Sequence, residues 1–129
     1  MKLSDALIHS ADIEVESLIS EVNGAVAVVI STVDGFDVAS RAQNTAQVSR
    51  MAAMASSMAA IGSVVGQESL LGNHRNITIE AEHGFVVMME VPHPVWPMIL
   101  SVVTTRSAVL GQARYCATRS SARLALAAA

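Results

Sequence analysis

A chain of 129 residues has room for one domain, which buries roughly two thirds of its unfolded surface. Its 52% hydrophobic and 15% charged residues exceed the usual globular balance, and a net charge of −3 argues against a general nucleic-acid binder, which shows a basic stripe. Cys116 is the single cysteine, which excludes an intramolecular disulfide framework and a cysteine metal cluster.

The opening residues, MKLSDALIHSADIE, place acids soon after one Lys and lack the unbroken apolar core of a signal peptide, so a cytoplasmic protein is expected. From about Ser4 to Val22 the pattern is helical. Ile8, Val15 and Val22, with Ala11, Leu18 and Ile19 beside them, make one apolar face. Asp5, Asp12, Glu14, Glu16 and Glu21 fall mostly elsewhere. Asn23-Gly24 supplies the stop, because either residue accepts the left-handed conformation past a last turn.

Ala25 to Ile30, AVAVVI, is apolar at every position and reads as a strand covered on both faces. Asp34-Gly35 is a strong hairpin signal, and Phe36 to Ser40 returns as a shorter strand. Asn44, with Gln47 three residues later, marks the start of a second helix. The stretch from Met51 to Gln67 carries no charge, and Gly66 is expected to end the helix.

That helix has too much apolar surface for one neighbour. At about 100° per residue, Met51, Met54, Met58, Ile61 and Val65 form a bulky stripe. Beside it runs a stripe of Val48, Ala52, Ala55, Ala59, Gly62 and Gly66, almost all small. Together they cover roughly 200°, about twice the arc an amphipathic helix buries. The bulky stripe is expected to sit on the protein's own sheet and the small stripe to meet another helix at close range. A membrane span is set aside: the run falls short of about 20 strongly apolar residues, and Ser49, Ser56 and Ser63 line its third face.

Ile77 to Glu80 alternates as a half-exposed strand, His83-Gly84 makes a second turn, and Phe85 to Val91 is strongly apolar. Pro92, Pro94 and Pro97 break the next connection, and Met98 to Thr104 is a fifth strand. Ser107 is the expected cap of a last helix from Val109 to about Leu126, with Leu110, Ala113, Ala117, Ser120 and Leu124 inward. The order is α-β-β-α-β-β-β-α. Tight hairpins make the strands antiparallel. Three strands too apolar for water require helices on both sides, which gives an α+β fold: an α/β/α three-layer sandwich around five strands, in one domain over residues 1–129. The first and last helices, of opposite charge, share one face, and the long helix is alone on the other.

Here the sequence resembles the roadblock family, the dynein-light-chain-related domains. The matching stretches are NGAVAVVISTVDGFDVAS, the small-residue helix, ITIEAEHGFVVMMEV and MILSVVTTRSAVLGQARYCATRSSARLA, with Gly35 and Leu110-Gly111 where the family pattern has them. The resemblance implies a roadblock/profilin-like fold and a homodimer with central helices side by side and edge strands joining the two sheets. It further implies a prokaryotic regulator of small Ras-like GTPases, or a light-chain-like scaffold, with no catalytic residues and no cofactor. On this reading Val48, Ala52, Ala55, Ala59, Gly62, Ile77 and Ile79 form the dimer seam. The Pro-rich connection VPHPVWPM departs from the family pattern.

Other candidates are weighed against plainer roles. His9, His74, His83 and His93 show no metal-ligand spacing and are expected to be solvated. Cys116 reads as a small packed thiol. Arg119 and Arg123 are expected to pair with the acidic first helix, for about 0–1 kcal/mol each. Arg41 and Arg50, flanking the start of the long helix, and Trp96 are candidate partner contacts. An arginine finger is the sharper reading of the two arginines, and contact without chemistry is preferred.

Overall fold

The computed structural model describes residues 2–129. The elements are α1 (Asp5–Glu21), β1 (Ala25–Thr32), β2 (Asp37–Arg41), α2 (Thr45–Glu68), β3 (Asn76–Ala81), β4 (Gly84–Val91), β5 (Met98–Thr105) and α3 (Leu110–Ala125), in the expected order. All pairings are antiparallel, and the five strands lie in the order β2-β1-β5-β4-β3. The most apolar strands take the middle of the sheet, while short β2 and the half-exposed β3 take its edges.

Local signals set the boundaries. The Ser4 side chain accepts from the Leu7 N–H and caps α1, and the Asn44 side chain accepts from the Ala46 N–H and caps α2. Gly35 turns the first hairpin at a φ of +98°, where a side chain would be strained. Gly84 opens β4 because a Cβ there would lie 1.9 Å from the Thr104 carbonyl oxygen. The α3 cap differs from expectation. Val109 occupies it with no side-chain bond, while the Ser107 hydroxyl is taken up 2.7 Å from that of Thr105.

The larger core lies between the sheet and the α1/α3 layer. There Leu7, Val15 and Leu18 of α1 and Ala113, Ala117 and Leu124 of α3 pack on Val28, Val87, Leu100 and Val102. Leu7 rather than Ile8 leads the α1 stripe. Opposite charges join these helices as expected: Arg123 holds the buried Glu14 carboxylate through two nitrogens, at 2.7 to 3.2 Å, and Arg119 pairs with Glu21.

The other face belongs to α2 alone, but the two stripes are exchanged relative to expectation. Val48, Ala52 and Ala55 are buried within the subunit, with Ala55 against Met88 and Ile99. Ala59, Met51 and Met58 pack partly at the flanks, whereas Met54, Ile61 and Val65 are 50%, 58% and 58% exposed. Strand alternation fills the sheet face below with Val29, Ile99 and Met88, so the helix approaches best where its own side chains are small. Val48, Ala52 and Ala55 therefore leave almost no surface for a seam between subunits, because they are already buried within their own subunit. Gly62 serves the same approach: a Cβ there would come within 3.0 Å of His74 and Ile77.

Two histidines also differ from expectation. His93 is buried: its Nδ1 accepts from the Val95 and Trp96 N–H groups at 3.2 and 3.0 Å, and its Nε2 lies 2.9 Å from the Ala127 carbonyl oxygen. The prolines leave few backbone N–H groups in this connection, and the imidazole folds inward to satisfy two of them and tie the loop to the chain beyond α3. His74 is mostly buried, with Nε2 3.7 Å from a Glu90 carboxylate oxygen. His9 and His83 are exposed and Cys116 is buried, as expected.

Candidate functional site

The exposed edge of α2 and the neighbouring strand β3 form one apolar surface. Met51, Met54, Met58, Ile79, Val86 and Met88 line a groove of about 460 Å³. A second groove of about 420 Å³ continues it past the shared Met58 to Ile61, Val65, Leu71 and Ile77. Leu70 and Leu71, in the turn after α2, project into solvent. From Met51 to Gln67 no charge interrupts the helix. Apolar patches of this continuity are uncommon on the surface of a soluble monomer. Beside it, β3 hydrogen-bonds only to β4, so the outer edge of β3 is unpaired.

By length and composition α2 is apolar enough to cross a bilayer. Its first half is packed on the sheet, however, and its exposed face carries Ser49, Arg50 and Ser57 as well as apolar side chains.

The residues expected at the seam separate into two groups. Val48, Ala52 and Ala55 lie beneath the helix. Ala59, Gly62 and Ile77 are half-buried at its flank, and Ile79 reaches the groove from β3. The surface also recruits Met54, Ile61, Val65, Leu70 and Leu71, which the seam expectation left out. The helical spacing of Met54, Ile61 and Val65 was visible, but only the filled sheet below shows that they face outward.

The three candidate partner contacts are not brought together. Arg41, at the end of β2, bonds to Asp12 and Glu16 of α1 at 2.9 Å each and to the Ser40 carbonyl. Its hydrogen bond holds the Asp12 carboxyl below the usual range, and Asp12 in turn raises Arg41. Arg50 is exposed on α2, with no ion pair among the described residues. Trp96 is half-buried on the α1 side of the sheet, partly folded onto the core.

Among the described residues no three His, Cys, Asp or Glu side chains converge as a metal site. One acidic group is perturbed. Burial pushes the Glu90 carboxyl up, and His74 opposes that shift. An acid whose folded pKa is raised binds its proton more tightly in the native state, so its ionisation weakens the fold as pH rises from about 4.5 through the folded value. Glu90→Gln is therefore expected to raise Tm at pH 7 by about 1–3 °C, a small gain because water screens the partly exposed carboxyl, and to have no effect at pH 4. Thermal melts at the two pH values check this; a loss of stability at pH 7 would show that the pair with His74 outweighs burial.

No family model matches the sequence, and no curated protein matches it; its likeness to known proteins lies in the fold. MglB of Myxococcus xanthus superposes with a TM-score of 0.83 at 15% identity, over 97% of this chain and 92% of that one. The chain has the roadblock fold. A roadblock/LC7 domain from Streptomyces avermitilis matches with a TM-score of 0.78 at 19% identity, over 86% of this chain and 91% of that one. The gliding protein MglB from Thermus thermophilus gives 0.83 at 20% identity, over 95% of this chain and 91% of that one. In this roadblock fold the exposed face of α2 adjoins the free edge of β3.

Proposed function

We propose that this protein is a homodimeric, non-enzymatic regulator that binds a small Ras-like GTPase in the cytoplasm and modulates its GTP hydrolysis. The observation that carries the reading is the continuous apolar surface of α2 and β3, uncharged along the helix from Met51 to Gln67, which a monomer would leave in water. A second copy covers it with like against like about a two-fold axis. Met54, Ile61 and Val65 form its centre, with Ala59, Gly62, Ile77 and Ile79 at the flank. The free edge of β3 suits pairing with its counterpart, and protein rather than lipid then covers α2. The likeness to MglB, one example of which is described in a tetrameric arrangement, supports assembly, and the resemblance of the sequence to prokaryotic roadblock regulators supports a GTPase partner.

The regulator needs no cofactor and no nucleic acid. Arg50, free at the start of α2, contacts the GTPase without entering its chemistry, whereas Arg41 is engaged in holding α1 to β2. The decisive measurement is GTP hydrolysis by a candidate Ras-like GTPase with and without this protein. A change in rate is expected, and Arg50→Ala is expected to weaken binding while preserving the full effect at saturation. If Arg50→Ala binds normally but abolishes stimulation, the arginine is a finger. Binding with no change in hydrolysis by the wild-type protein would mean a scaffold instead.

A further inference from the structure

On the side of the sheet away from α2, the first hairpin, the start of α1 and the Pro-rich connection enclose a separate pocket of about 300 Å³. Leu3, Ile8, Phe36, Val38 and Trp96 give it apolar walls. Leu3, Val38 and Trp96 are anchored on the core, so these walls are fixed, whereas Phe36 is 71% exposed at the rim. The volume is at the small end for ligand pockets and suits one or two side chains. Exposed aromatics flanking such a depression are the usual anchors of protein contacts.

The charges around it are one-sided. Asp34 and Asp37 line the pocket, and no cation pairs with either among the described residues. Lys2 is the one cation in its lining. Farther along α1, Asp5 is a further exposed carboxylate, while Asp12 and Glu16 are both paired with Arg41 and keep a net charge of −1 with it. A basic segment is drawn to such a face, and an acidic one is repelled.

We propose that the Trp96 pocket is a second docking site, for a peptide segment that places an apolar anchor beside Lys or Arg. Because it lies in the α1 layer, dimerisation through α2 leaves it open, and the proposal does not depend on the GTPase reading.

Trp96 is the only tryptophan, so its indole N–H gives a single resonance in a ¹⁵N-labelled sample of the full chain. The probes are the peptide Gly-Arg-Leu-Phe-Arg-Gly and its Gly-Glu-Leu-Phe-Glu-Gly counterpart. The cationic peptide is expected to move the indole signal and to bind at least tenfold tighter than the acidic one. Asp34→Asn with Asp37→Asn, both at exposed sites, is expected to weaken it about three- to tenfold without disturbing the other resonances. Met54→Lys on α2 is expected to leave it unchanged. No indole shift at millimolar cationic peptide, or equal shifts with both peptides, would overturn the proposal. A shift with protein concentration alone would also overturn it, by showing that a second copy fills the pocket.

Discussion

Ala55→Glu is expected to yield no folded subunit, only insoluble or unfolded chain. Ala55 is 1% exposed between α2 and the sheet, in contact with Met88 and Ile99. The side chains packed around it carry no cation to hold a carboxylate. Burying one in apolar surroundings costs several kcal/mol, against a total stability of about 5–15 kcal/mol for a domain. Circular dichroism and the soluble yield read the outcome directly. A soluble, folded dimer carrying this substitution would show that α2 presents its small stripe outward after all.

The opposite result is expected on the other stripe. Met54→Lys combined with Ile61→Lys leaves the subunit folded, because both side chains are half or more exposed. It places two charges per subunit, hence four per dimer, in the centre of the proposed apolar contact. Each anchor removed forgoes about 1–2 kcal/mol of burial, and a two-fold axis doubles the loss. Dimer affinity is then expected to fall at least a thousandfold. Light scattering should report one 13.5 kDa subunit where the wild type gives two, with unchanged circular dichroism. A double variant that keeps the dimeric mass would place the contact elsewhere. The pair of experiments is informative together: one stripe is required for folding, the other for assembly.

Much of the architecture was legible in the residues. Asp34-Gly35 and His83-Gly84 mark the two hairpins, Asn23-Gly24 ends α1, and the uninterrupted apolar strands demand cover on both faces. These signals are local, or depend only on the sum of apolar surface, so one sequence suffices to read them. The candidate site was less legible. Arg41 looked free beside the long helix until α1 brought Asp12 and Glu16 to it from about 25–29 positions away. His93 looked solvated between prolines, yet the fold gives it two backbone donors and the Ala127 carbonyl.

What the sequence by itself determined is the roadblock-type order of elements, the separation of two helices from one across the sheet, and the existence of an apolar face too wide for a single neighbour. What only the tertiary structure decided is which stripe of that face turns inward. Periodicity specifies which side chains share a face, but not the depth of the surface that face will meet. The sheet under α2 is already filled by Val29, Met88 and Ile99, so close packing selects the alanines and leaves Met54, Ile61 and Val65 outside.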